Sequence, residues 1–112
     1  MNSGDVVTVD FGVPLGSEAG FVRPGVVVTA DAFLRFRPTT VFVVPLTSTA
    51  RSFPSHVEIA ADERNRLANT SHACVEQLRA VALERCTPTG GNVGPAVTHQ
   101  LLDILAMITG MP

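Results

Sequence analysis

Arg23 is the residue best placed for chemistry. It stands where a turn-rich loop, residues 12–22, meets the apolar run Gly25-Val26-Val27-Val28-Thr29, at the rim of a rigid sheet. A guanidinium there offers two parallel donors to a phosphate. It equally offers donors to the carbonyls of its own loop. Thr47 and Ser48 end the strongest strand in the same manner, so their hydroxyls either face a ligand or terminate the sheet. Glu18 sets a carboxylate in the loop that precedes Arg23. Three histidines, His56, His72 and His99, are far apart in the chain, and each reads first as an ordinary surface or buffered imidazole. Cys74 and Cys86 have no CxxC spacing and no histidine at metal-ligand offsets, and read as small buried hydrophobes. The chain carries no GxSxG, no HExxH, no Gly-Lys-Ser/Thr phosphate loop and no Asp-rich calcium loop. No metal site and no cofactor is therefore expected.

Short strands must position these groups. Val6 to Phe11 alternates apolar and polar residues, the pattern of a half-buried strand. The β-branched run from Gly25 to Thr29 suits a strand buried on both faces, with Pro24 at its start or at a bulge. Asp31 to Leu34 makes one helical turn before Pro38. Thr39 to Leu46 is the strongest strand, and Ser55 to Ala60 is a strand with one wet face. Asp62 to Asn69 is polar connection. Ala73 to Leu83 fits a strand pair or one bent strand equally well. Pro88 to Gly94 reads as a loop around Gly90-Gly91. Pro95 then opens a helix, with Val97, Leu101, Ile104, Leu105 and Ile108 on one apolar face that Leu102 and Met107 broaden. Five or six strands and a C-terminal helix describe a small barrel or curled sheet with a helix packed on it.

Composition narrows the classes. At 112 residues the chain suits one domain, and 46% apolar against 16% charged residues supports a true core. All eight basic residues are arginine, and the net charge is -2, which excludes a basic coat for nucleic acid but not a local basic cluster. No apolar run reaches the roughly 18 residues of a membrane helix. The N-terminus Met1-Asn2-Ser3-Gly4-Asp5 lacks the basic and apolar start of a secretory signal, so a cytoplasmic location is expected.

Six segments in order carry a resemblance. Gly4-Asp5-Val6-Val7-Thr8-Val9-Asp10-Phe11, Gly16-Ser17-Glu18-Ala19-Gly20, Arg23-Pro24-Gly25-Val26-Val27-Val28 and Val44-Pro45-Leu46-Thr47-Ser48 resemble the motifs of the MazF/PemK toxin–antitoxin ribonucleases. Pro54-Ser55-His56-Val57 and Val75-Glu76-Gln77-Leu78-Arg79-Ala80-Val81 are similar to later segments of that family. The likeness covers nearly the whole chain, read as one toxin domain over residues 1–112. It implies an α+β fold that is mainly β: a small SH3-like curled barrel with a C-terminal helix, of the PemK/MazF–CcdB type.

The resemblance also implies an activity: metal-independent cutting of single-stranded RNA by a homodimer, through attack of the 2′-hydroxyl on its own 3′-phosphate. Arg23 matches the family's catalytic arginine, Thr47 its catalytic threonine, and Glu18 the loop glutamate that assists in some members. Ser17, Ser48, Arg35, Arg37, Glu76 and Gln77 are the expected RNA contacts, and Phe33, Phe36 and Phe53 either stack bases or serve core and dimer contacts. The chain departs from the family pattern in two ways. Glu76 stands where many relatives have aspartate, and Cys74 stands where some have arginine. Val13-Pro14-Leu15 supplies no loop histidine. The implied partner is a MazE-like antitoxin whose acidic flexible tail meets Arg23 and Arg35, Arg37 or Arg51. Two alternatives share the fold: a CcdB-like toxin that contacts gyrase, and a catalytically silent binding module.

Overall fold

The computed structural model describes residues 1–111. Seven strands run β1 Asp5–Asp10, β2 Val22–Val27, β3 Thr40–Thr47, β4 His56–Ile59, β5 Ser71–Cys74, β6 Arg79–Ala82 and β7 Cys86–Asn92. A single helical turn, α1 Asp31–Leu34, joins β2 to β3, and α2 Gly94–Ile108 closes the chain. The sheet order is β4-β5-β3-β2-β1-β7, all antiparallel, with β6 added to β3. The expected curled α+β architecture is what forms.

β3 is the hinge of the curl. Its first half, Thr40 to Val43, pairs with β6, while Leu46 and Thr47 pair with β5. Pro45 falls between the two ladders, where a residue without an N–H leaves no donor unpaired. β5 and β6 are thus one bent strand broken by a 3₁₀ turn at Val75–Gln77, so both sequence readings of this segment meet in one structure.

β2 and β3 are buried on both faces, as their valine runs require. Val26, Val44 and Leu46 face a cluster with Val57, Ile59, Ala73, Val75 and Leu101 of α2. Val27, Val41 and Val43 face the other cluster, with Val7, Val9, Phe11 and Val81. Removing this much apolar area from water at ~25 cal/mol per Å² is what holds the short strands together.

Two expectations change. The expected loop Pro88 to Gly94 is mostly strand: β7 pairs with β1 through a bulge that shifts the register between Val6 and Val7. Gly90, at φ +81°, occupies the bulge, and the Thr89 hydroxyl donates to the Val6 carbonyl at 2.6 Å. Glycine and proline marked an irregular strand here, not a break. On α2, Leu102, Met107 and Ile108 stay exposed, and only Leu101 reaches the bottom of the core.

Candidate active site

The β2–β3 register sets the site. Gly25 lies across from Pro45 and Val26 across from Val44. Carried two residues further, that register places Arg23 opposite Thr47, at the point where the two strands cease to pair. The loop before β2 is closed at its neck by Phe11 N–H to the Phe21 carbonyl (2.8 Å) and Phe21 N–H to the Gly12 carbonyl (2.6 Å). Phe21 takes a left-handed φ of 59° to do so, a costly conformation for an aromatic residue, two positions before Arg23.

Arg23 takes up the loop-carbonyl option with one nitrogen only. Its Nε donates to the Gly20 carbonyl at 3.0 Å, which fixes the guanidinium plane. Its terminal nitrogens have no hydrogen-bond partner among the described residues. Thr47 Oγ1 accepts from the Thr49 N–H at 3.2 Å, so its own proton is free to be donated.

Arg23 and Thr47 line a central groove of about 490 Å³ with Ser17, Glu18, Arg51, Phe53, His56, Cys74, Glu76 and Gln77 among its walls. A hollow of about 580 Å³ adjoins it, sharing Ser17, Glu18, Phe53, Glu76 and Gln77 and adding Leu78 and Arg79. A third, of about 540 Å³, shares Arg23 and Thr47 and adds Ser48, Leu67 and Asn69. The three form one track with Arg23 and Thr47 at its middle. Arg35 and Arg37 line none of these hollows. They leave α1 toward Thr40, at the opposite end of β3 from Thr47, roughly 23 Å away at ~3.3 Å per residue.

Gln77 holds the loop over the groove. Its Oε1 accepts the Ala19 N–H, and its Nε2 donates to the Ser17 carbonyl at 3.1 Å. Glu18 turns inward on its own loop: the Leu15 N–H donates to its Oε1 at 3.0 Å. Replacing Gln77 by alanine removes both long-range bonds, a loss of roughly 1–2 kcal/mol of local stability. The Ala19 amide is then expected to exchange about five- to thirty-fold faster with deuterated solvent. Unchanged protection at Ala19 would show that the loop is held by something else.

Glu76 is the best-tethered carboxylate of the groove. Ser55 Oγ donates to its Oε1 at 2.8 Å, and His56 Nε2 lies 3.0 Å from its Oε2. Burial pushes the carboxyl up, but the bonds from His56 and Ser55 outweigh it and hold the group below its ordinary value of 4.5. A lowered folded-state pKa stabilises the fold above that ordinary value, and the contribution is lost as pH falls through the folded-state pKa. Glu76→Gln is thus expected to lower the urea midpoint at neutral pH, and the gap to wild type should close in acid. A gap that persists unchanged below the titration of Glu76 refutes this linkage.

Residues 2–109 match the family model described as PemK-like, MazF-like toxin of type II toxin-antitoxin system. The chain belongs to this family. Endoribonuclease EndoA of Bacillus subtilis is 37% identical over 86 residues, 75% of this chain and 72% of its own. Endoribonuclease MazF9 of Mycobacterium tuberculosis is 34% identical over 112 residues, 96% of this chain and 94% of its own. Among solved structures, MazF of Deinococcus radiodurans superposes with a TM-score of 0.80 at 23% identity, over 99% of this chain and 97% of the other. A mycobacterial endoribonuclease in complex with its cognate antitoxin gives 0.78 at 21% identity, over 100% and 97%. These structural likenesses establish the PemK/MazF fold of the chain.

Within this MazF-like frame, three groove residues escaped the sequence reading as site groups. His56 is not a surface imidazole: its side chain is 7% exposed, edge-on to Phe53 with ring centres 5.6 Å apart. Cys74 is buried as expected, but it also forms part of the groove wall. Arg51, read only as an antitoxin contact, lines the groove beside Arg23. The signal for His56 and Cys74 lay in strand pairing, since the two stand directly across the β4–β5 ladder. His99 sits apart on α2, 3.5 Å from Asp103. Phe33 and Phe36 pack against each other at α1 and remain exposed.

Proposed function

We propose that this protein is the toxin of a type II toxin–antitoxin pair and a metal-independent endoribonuclease that cuts single-stranded RNA at short specific sequences. The observation that carries the reading is the placement of Arg23 across from Thr47 at the middle of a three-part track. A track of that form takes a nucleotide chain along its length and one phosphate at its centre. The family membership and the endoribonuclease relatives support the same conclusion.

In this reading the 2′-hydroxyl oxygen attacks its own 3′-phosphorus, and its proton passes to a carboxylate, for which Glu18 is the candidate. The bond from phosphorus to the 5′-oxygen breaks, leaving a 2′,3′-cyclic phosphate, and the departing oxygen takes up a proton. Negative charge builds on the non-bridging oxygens in between. The Arg23 fork, oriented by Gly20, neutralises that charge, and the Thr47 hydroxyl donates to one oxygen. Ser17, Ser48, Glu76 and Gln77 border the track at positions for RNA contact, with Gln77 acting mainly through the loop it holds. Phe53, exposed on the wall, offers a face for a base. Arg35 and Arg37 reach RNA in this reading only as an outer positive patch.

We also assign a homodimer, with a second copy covering the apolar residues Leu102, Met107 and Ile108 that α2 leaves exposed. An antitoxin with an acidic tail complements Arg23 and Arg51 on the same track. The nuclease reading is tested by incubating purified protein with mixed RNA in excess EDTA and sequencing the new ends. New 5′-hydroxyl ends at one short recurring sequence are expected. Intact RNA under these conditions, with the antitoxin absent, overturns the reading.

A further inference from the structure

We propose that His56, Cys74 and Glu76 form a binding site for a zinc-class divalent ion in the wall of the Arg23–Thr47 groove, and that its occupation shuts RNA cleavage down. One imidazole nitrogen, one sulfur and one carboxylate oxygen of these residues lie within 4.8 Å of one another. Ligand atoms around tetrahedral zinc, each ~2.0–2.3 Å from the metal, stand about 3.3–3.8 Å apart. Side-chain rotation that draws the three together by roughly an ångström completes the set. The backbone is already in place. Cys74 faces His56 across the β4–β5 ladder, and Glu76 follows two residues on in the 3₁₀ turn.

The second observation is the state of the imidazole. A carboxylate only accepts hydrogen bonds, so His56 Nε2 carries the proton it shares with Glu76. Nδ1 is buried and has no partner among the described residues. The nitrogen that meets the carboxylate is Nε2, on a ring that is nine-tenths buried, so an ion shared with Glu76 binds there and sends the proton to Nδ1. Imidazole, thiolate and carboxylate together select zinc over magnesium or calcium, which take oxygen sets. On binding, Cys74 loses its proton to solvent, and the thiolate and Glu76 together balance the charge of the ion. Three protein ligands leave a fourth position, which opens on the groove.

The inhibitory part rests on the nuclease reading. A bound dication draws Glu76 away from Ser55. It also competes with Arg23 for the phosphate oxygens, which pulls the phosphate out of line with Thr47. Sequence spacing hides the group, because its members come from β4, β5 and the turn that follows.

The test separates binding from activity. The metal-free full chain is titrated with Co²⁺, and the thiolate-to-cobalt charge-transfer absorption is followed. One Co²⁺ per chain is expected, displaced by Zn²⁺. Cys86→Ser should keep the band. Cys74→Ser should abolish it and weaken binding by on the order of 10²-fold or more, since even outer partners of a metal ligand are worth ~10–100-fold. Zn²⁺ should slow wild-type RNA cleavage by about tenfold or more, reversed by chelator, while Cys74→Ser keeps its own metal-free rate. No band in wild type, or a band that survives Cys74→Ser, overturns the site. Zn²⁺ bound through Cys74 with equal or faster cleavage overturns the inhibition. A metal-free protein that cuts no RNA overturns the nuclease reading, and the absorption band still decides the site.

Discussion

Arg23→Ala is expected to slow RNA cleavage by about 10²- to 10³-fold, and Arg23→Lys is expected to rescue little of it. The reason lies in how the guanidinium is held. Nε is tied to the Gly20 carbonyl, so the plane of the fork is set before substrate arrives, and in the proposed reaction the terminal nitrogens span two phosphate oxygens. Lysine has one ammonium and no second donor group to fix its direction. It therefore loses the orientation as well as one bond. Thr47→Ala removes a single neutral donor and should cost about tenfold, on the scale of ~1–1.5 kcal/mol for one hydrogen bond. Both arginine variants should keep the wild-type circular dichroism spectrum, because Arg23 contributes little to either apolar cluster. Initial rates on one labelled RNA decide the matter. Cleavage by Arg23→Lys within a few-fold of wild type removes Arg23 from the charge-stabilising role.

An RNA with a single 2′-deoxy residue at the cut position is expected to be inert, although it still binds. Internal attack needs the 2′-oxygen as nucleophile, and no other residue of the groove supplies an activated one. The effect is therefore a loss of the reaction, larger than that of any side-chain change. The deoxy strand should compete with an uncut RNA at about equal affinity, because one hydroxyl is a small part of a contact spread over three hollows. With the unmodified strand, the upstream product should carry a cyclic phosphate, seen by mass spectrometry as the loss of one water relative to a simple phosphate end. Cutting of the deoxy strand would show that water or a side chain is the nucleophile.

Much of this was legible in the residues themselves. The alternation from Val6 to Phe11 and the valine runs around Val26 and Val43 state which strands are half-buried and which are covered twice. Arg23, Thr47 and Glu18 were found as groups at strand ends and in a loop. Their mutual placement was not, since it depends on a register that only the pairing of Gly25 with Pro45 reveals. The same limit hid His56, Cys74 and Glu76 as a group. Propensity misread β7, because Pro88 and Gly90 serve a bulge there, and a bulge uses the residues that usually end a strand. On α2, periodicity named the apolar face correctly but not its depth. Leu101 is sealed by β4 and the 3₁₀ turn, while Leu102 and Met107 lie beyond what one chain covers.

The bond from Gln77 to Ser17 joins residues 60 positions apart. On the ribosome that separation becomes a delay. At ~5–20 residues per second, about 3–12 s pass between the synthesis of the loop and that of the amide that holds it. Over that interval the growing chain has Arg23 but lacks Thr47 for part of the time, and then lacks the walls built by residues 74–77 for the rest. The nascent N-terminal half thus holds only part of the groove wall. The completed groove comes into being only when most of the chain has emerged.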